Sequence, residues 1–434
     1  MKRFTRYRHS LAAVSMIFLC IFFWSRCIDK NKDEADESAS ATEKPGAARP
    51  AAEPPAVYVD KVSRDQFAGS QACARCHKQI CDSHVHTAHY LTTRLASEGA
   101  IKGSFHAGKN RFAYGDGMVV AMEKRDSGLF QVGYLQGVEK IARRFDIVVG
   151  SGAKGQTYLS REGNSFYQLP VSYFTAAKEW ANSPLFPTHP VLFNRPITSR
   201  CLECHSTYAK KISSPNRDPE EFDRSQTIYG VDCEKCHGPA ARHVAFQTAN
   251  PSVRTAGYIV NPAKLTRQQN LDLCALCHGG RLQKTTASFA FQAGDTLSHF
   301  FRLAAQTAPP DPKDIDVHGN QYGLMRASQC FIKSNTLTCN TCHDSHANER
   351  GKIAVFSQRC MTCHNDQQGS FCKLKDRSHA VLAANCIDCH MPKQASRSIT
   401  ELLPGDKTPT AALIRSHFIS IYPETKKIPT IVKQ

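Results

Sequence analysis

The sequence predicts an α+β fold, mostly α-helix and coil organised around stacked prosthetic groups, with a small antiparallel β domain inserted after the first of them. Three observations predict it. The pattern Cys-x-x-Cys-His occurs seven times, at 73–77, 201–205, 233–237, 274–278, 339–343, 360–364 and 386–390. Between the first and second copies lie short runs with partial alternation or β-branched and aromatic enrichment, separated by turn signals. From 186 to 402 proline and glycine recur throughout and leave room only for short helices, such as 266–274 and 378–385.

Cys-x-x-Cys-His is the attachment pattern of c-type haem. Its thiols add across the haem vinyl groups, and the histidine that follows is the proximal iron ligand. Structural zinc also uses Cys-x-x-Cys, but it takes such pairs in twos and has no need of a histidine after each one. Here the number is odd and every copy has its histidine. The pattern therefore predicts seven c-type haems (iron) as cofactors. Their covalent anchors are Cys73 and Cys76, Cys201 and Cys204, Cys233 and Cys236, Cys274 and Cys277, Cys339 and Cys342, Cys360 and Cys363, and Cys386 and Cys389. The proximal ligands are His77, His205, His237, His278, His343, His364 and His390. Seven porphyrins occupy much of an interior, in keeping with a hydrophobic content of only 41% over 434 residues.

The chain then divides in order. Residues 1–27 read as a signal peptide or lipoprotein signal: Lys2, Arg3, Arg6 and Arg8 precede an apolar run from 11 to 24, too short for an ordinary membrane span. Haem attachment takes place outside the cytoplasmic membrane, so an export signal is what seven haem motifs require. The expected location is therefore the periplasm or the outer surface of a membrane. Cys27 is a candidate lipid anchor, although Arg26 stands where a lipoprotein cleavage site wants a small residue; cleavage to a soluble form and an uncleaved anchor stay open beside it. Residues 28–64 lack periodicity and are rich in Ala, Pro, Glu and Lys, a disordered linker. The first haem segment covers 65–108, the antiparallel β insert 109–185, the six-haem domain 186–402, and a tail packing back on the haem domain 403–434.

Within the insert, strand-like runs at 112–125, 129–137, 140–150, 156–160 and 166–174 are separated by turn signals such as Gly115-Asp116-Gly117 and Asp126-Ser127-Gly128. Gly150, Gly152 and Gly155 form a G-x-G-x-x-G match. A dinucleotide site needs a helix opening there and an acid about 20 residues on. Strand-like sequence follows instead and no acid occupies 170–178, so the match reads as a tight hairpin.

The formal charge of +17 does not indicate nucleic acid. Five of those charges belong to the N-terminal signal, and haem propionates, which arginine and lysine pair with readily, offset most of the rest. No basic stripe interleaved with aromatics is present. Of nineteen cysteines, five lie outside the motifs: Cys20, Cys27, Cys81, Cys330 and Cys372. Export permits a disulfide among the last three, with Cys330–Cys372 the favoured pair.

Eleven histidines outside the motifs and the signal could supply distal ligands: His84, His86, His89, His106, His189, His243, His299, His318, His346, His379 and His417. Supply exceeds the demand for seven, so every iron could be bis-His and low-spin. The segment 69–89, with Cys73, Cys76, His77 and the trailing His84, His86 and His89, resembles the opening of the cytochrome c-552/c-554 (c554/c-prime) family. That family places a ligand about a dozen residues after its first motif, which implies His89. The segment 233–243 resembles the family's C-x-x-C-H-G-P element with a trailing histidine and implies His243; likewise 339–346 implies His346, and 386–392 resembles a common last-haem motif. The resemblance covers roughly 66–92 and 186–420, and Cys81 stands where the family commonly has tyrosine. His189, His379 and His417 are favoured for remaining positions because they lie close to motif-bearing segments or in the tail, with His318 next.

The functional expectation is an exported seven-haem cytochrome c that carries electrons between membrane or periplasmic redox partners, quinol oxidase-type membrane donors among them. Bis-His iron is coordinatively saturated and suits transfer rather than substrate binding. The rival is a multihaem reductase or oxidase of small nitrogen or sulfur compounds with one five-coordinate haem. Some such enzymes mark that haem with lysine in place of the motif histidine, and all seven motifs here carry histidine.

Overall fold

The computed structural model describes residues 62–214, 217–302 and 311–423. The signal, Cys20, Cys27, the linker up to 61 and the last residues of the tail lie outside the described residues, as does everything proposed for them. No helix among the described residues is long and apolar enough to cross a membrane.

The expectation of a mostly helical protein with a small β insert is overturned. Helix accounts for only 28% and strand for 26%. Seventeen strands form sheets of seven, four, two, two and two strands among the described residues. β-structure is a principal component, and three of its sheets lie beyond the predicted insert.

The β-body is the largest part of it. Strand β1 (Thr93–Leu95) precedes a four-stranded meander of β2 (Arg111–Gly115), β3 (Met118–Arg125), β4 (Gly128–Leu135) and β5 (Val138–Arg144). The second sheet combines β1 with β6 (Ile147–Val149), β7 (Gly155–Glu162), β8 (Ser165–Gln168), β9 (Val171–Phe174), β10 (Glu179–Asn182) and β11 (Arg195–Pro196). The β2–β3 and β3–β4 turns fall on the Gly-containing signals, where Asp116 and Gly117 take positive φ of 49° and 74°. The glycine-rich match at 150–155 is the connection between antiparallel β6 and β7, not a dinucleotide loop. Gly155 sits so close to β9 that a Cβ there would approach the Tyr173 carbonyl oxygen to 2.8 Å. Between the sheets, Phe112, Val120, Met122, Val148, Tyr158, Leu169, Val171 and Trp180 form a closed core.

A second apolar cluster joins this body to the haem-bearing part. Ile147, Leu159 and Phe166 pack with Leu202 of the second motif, with Tyr208 of β12 (Ser206–Lys211) and with Phe222 of β13 (Phe222–Tyr229). The remainder of the chain consists of short helices, a two-residue pair β14 (Gln283–Lys284) and β15 (Phe301–Arg302), and a C-terminal hairpin of β16 (Lys393–Glu401) and β17 (Thr410–Arg415). The hairpin lies on the β-body, where Phe174 and Ala181 meet Ala412 and where the Asn182 N–H donates to the Leu402 carbonyl at 2.9 Å.

Candidate haem-binding site

Each motif sits on a helical turn, because a three-residue step returns two side chains to the same face. The first lies within the helix Ser70–His84, which breaks at His77 (φ −115°, ψ 38°). The second, third and fourth end the helices Ser199–His205, Cys233–His237 and Arg267–His278. The third opens on Asp232, whose side chain accepts from Cys233 N–H. The fourth is reached through a capping box in which Thr266 and Gln269 exchange side-chain and backbone bonds. The fifth begins with the 3-10 turn Cys339–Thr341, the sixth runs off the helix Ile353–Met361, and the seventh occupies Ile387–His390.

The motifs meet across long stretches of sequence. The thiols of Cys73 and Cys233 are within hydrogen-bonding reach, as are Cys204 with Cys277, Cys274 with Cys339, and Cys360 with Cys386. Cys236 is close enough to Cys274, and Cys363 to Cys342, for each pair to interact electrostatically. The seven motifs thus form one connected network: first to third to fourth, second to fourth, and fourth through fifth and sixth to seventh.

The imidazoles face one another in the same way. The ring centroids of His278 and His89 are 6.1 Å apart, those of His237 and His346 6.0 Å, and those of His343 and His417 6.1 Å. Two imidazoles that share a metal, each bonded at about 2 Å, place their centroids about 6 Å apart. The residues present fit an iron between them. His417 also leaves its Nδ1 buried and without a hydrogen-bond partner. Burial pushes the imidazoles of His89, His205 and His417 down to about 4, and lowers those of His237, His278, His318 and His343. The neutral ring is the form that binds a metal.

Outer partners orient these rings. His237 donates its Nδ1–H to the Val260 carbonyl at 2.9 Å, His390 to the Ser420 carbonyl at 2.9 Å and His243 to the Gly257 carbonyl at 2.8 Å. Nδ1 of His278 faces Gln321 Oε1 at 3.1 Å, and Nδ1 of His205 faces the Thr92 hydroxyl at 3.0 Å. A proton held on Nδ1 leaves the Nε2 lone pair for iron, the usual arrangement of a ligating histidine.

Other predicted residues have different surroundings. His189 is exposed at the edge of the β-body, 3.9 Å from Asp116. His379 is exposed, stacked on Phe371 at 4.1 Å, with Nε2 2.8 Å from Asp366. Cys330 and Cys372 are both free thiols, so the favoured disulfide is not formed; Cys330 instead neighbours Cys342 and Cys363. Cys81 is buried beside Cys73 and Cys233. The orienting partners Thr92, Val260, Gln321 and Ser420 carry no sequence signal. His84, passed over in favour of His89, is buried and holds the Val231 carbonyl at 3.2 Å, with its ring 6.3 Å from that of His346.

A family model described as cytochrome c554 and c-prime matches residues 191–238, a span that contains the second and third motifs. Among solved structures the chain is similar to the outer cell wall cytochrome OcwA, with a TM-score of 0.51 and 16% identity over 83% of this chain and 81% of that one. At that identity the likeness is one of fold. No curated protein matches the sequence.

Proposed function

We propose that the chain is a multihaem c-type cytochrome that holds seven covalent haems and relays electrons along them between redox partner proteins outside the cytoplasmic membrane. The observation that carries this reading is the continuity of the motif network, in which every motif has a thiol neighbour in another. Bound haem supplies a one-electron iron couple. The chain supplies the order and the ligands: His89 opposite His278, His346 opposite His237, and His417 opposite His343, with His243 as a further distal ligand. Imidazole on both faces keeps these irons saturated and spares them reorganisation when they change oxidation state. Motif pairs with adjacent thiols hold neighbouring porphyrins close.

The N-terminal basic and apolar segment supports export, as haem attachment demands. The name of the similar structure places that protein in an outer cell wall, and a surface location is proposed for this chain on the two grounds together. The test is mass spectrometry and electron paramagnetic resonance on the exported, oxidised protein. Seven haem additions and predominantly low-spin ferric signals are expected. Fewer additions, or a dominant high-spin signal, would overturn the reading.

A further inference from the structure

We propose that Glu234, between the two thiols of the third motif, is a positioning residue for the first haem and for the helix of His243, and that its charge lowers the potential of the first and third haems. The inference rests on the haem reading above and adds to it a residue that is no iron ligand.

The Glu234 side chain is buried, with only 4% of the residue exposed, and three backbone N–H groups converge on it. Ala68 donates to Oε1 at 2.8 Å, Gly69 to Oε2 at 2.8 Å and Ala240 to Oε1 at 2.9 Å. Such distances are those of amides that donate to a charged carboxylate. Ala68 and Gly69 lead into the helix Ser70–His84, which carries the first motif. Ala240 leads into the helix Ala241–Ala249, which carries His243. One carboxylate thus fixes where two helices begin, one of them 165 residues away in sequence. It also faces the positive end of the longer helix's dipole. Gly69 is the link to the first haem: its N–H is held by Glu234, and its carbonyl lies 3.6 Å from the Cys73 thiol one turn on. Displacing the carboxylate therefore displaces an anchor of the first haem.

A second buried acid shows what is particular about this one. Glu203, inside the second motif, accepts from Phe289 N–H at 2.8 Å and lies 3.1 Å from both Arg200 and Lys284. Two cations offset that charge at close range. The hydrogen-bond partners of Glu234 are amides, so its negative charge acts on the irons beside it with less compensation. A fixed negative charge favours ferric over ferrous iron and so lowers the potential. Two properties of the side chain are separable: its length makes the contacts, and its charge sets the potential.

The experiment compares the full-length exported protein with two variants, each checked for haem number by mass spectrometry. Glu234→Gln keeps the length and removes the charge; Glu234→Asp keeps the charge and shortens the reach. Glu234→Gln should raise one or two of the midpoints in a spectropotentiometric titration and leave the others in place. Glu234→Asp should hold those midpoints nearer their unsubstituted values and speed amide exchange at Ala68, Gly69 and Ala240, which the shorter arm no longer reaches. A merely structural cap would alter exchange and thermal stability without moving any potential selectively. The proposal is overturned if Glu234→Gln carries seven haems with every midpoint unmoved, if all midpoints shift together, or if the two variants shift the same midpoints equally. Should Glu234→Gln load fewer haems, Glu234→Asp decides: exchange at those three amides as slow as in the unsubstituted protein overturns the proposal. Fewer than seven haems in the unsubstituted protein would defeat the haem reading itself; seven haems with an unresponsive Glu234→Gln would defeat only this assignment.

Discussion

The β-body and the haem-bearing remainder solve the problem of making a core in opposite ways. In the β-body the side chains complete one another. Trp180 meets Phe105, Phe145, Tyr158 and Tyr173 at centroid separations of 5.6–6.3 Å and donates to the Ser104 carbonyl at 2.9 Å. Gly103 is required beneath it, since a Cβ there would come within 2.1 Å of the indole. In the haem-bearing part, helices of four to fifteen residues bury few side chains; the helices Ala241–Ala249 and His379–Ala384 bury none completely. Such helices are too short to be stable alone. On the proposed reading their apolar partner is the porphyrin, so one half of the molecule is specified by its own residues and the other by residues plus cofactor.

The largest effect expected from this difference is its complete separation. Chain produced without haem attachment should retain a folded β-body and lose ordered structure elsewhere. Limited proteolysis of such material should leave a resistant fragment covering about 93–196, identified by mass spectrometry, whereas the haem-loaded protein should resist cleavage across 62–423. Uniform digestion of the haem-free chain would show that the β-body also depends on haem, through the cluster that joins Leu202 to Phe166.

A substitution confined to the β-body sharpens the same contrast. Trp180→Ala removes a buried indole and should cost about 3–5 kcal/mol, read as a lowered midpoint in denaturant. Haem spectra should stay unchanged until the protein unfolds, because no motif touches that ring among the described residues. A shift in one haem's g-values without unfolding would show that the two halves are coupled more tightly than their packing indicates.

The C-terminal hairpin is where the halves meet, and its inner end carries a buried acid. Glu401 faces β7 and β9, with Gly155 and Tyr173 beside it and Tyr158 close enough to sense its charge; Oε2 has no hydrogen-bond partner. Burial raises its carboxyl from 4.5 to about 8. The folded state therefore keeps a proton that the unfolded chain gives up above pH 4.5, and stability falls as pH climbs from about 4.5 to about 8 and levels off beyond. Glu401→Gln should flatten that slope and stabilise the protein at pH 8, by on the order of 1–4 kcal/mol. Thermal unfolding across pH checks this; an unchanged slope would place the titrating group elsewhere.

The sequence showed what is local and hid what is distant. The motifs, the β2–β9 strands and the helix after Thr266 all announce themselves within a dozen residues. Part of the strand content is hidden because the C-terminal hairpin alternates serines, not apolar residues: Ser396 and Ser398 of β16 point at Asp316. Periodicity rules look for an apolar face, and this one is polar for a reason supplied eighty positions earlier. The same distance hides which imidazoles face one another. His89 and His278 are separated by the whole β-body in sequence, and only their 6.1 Å approach in the fold relates them. Nearness in sequence to a motif or to a motif-bearing segment favours His189 and His379, and in the fold each stands beside an aspartate.

The smallest effect tests whether the haem-bearing half gains anything from purely local structure. Thr266 accepts from Gln269 N–H at 3.3 Å, and Gln269 Oε1 accepts from Thr266 N–H at 3.1 Å, a reciprocal cap on the helix that ends in the fourth motif. Loss of such a cap costs about 1 kcal/mol in an ordinary helix. The fourth motif is the junction of the network, held also by Cys274 beside Cys339, by Cys277 beside Cys204 and by Gln321 on His278. If cofactor and cross-chain contacts dominate this half, Thr266→Ala should cost less than that in the haem-loaded protein, with the spectrum of every haem unchanged. A full loss of about 1 kcal/mol in thermal or denaturant unfolding would mean that the helix stands on its own cap as well, and the division between the two halves would be less sharp at its centre than at its edges.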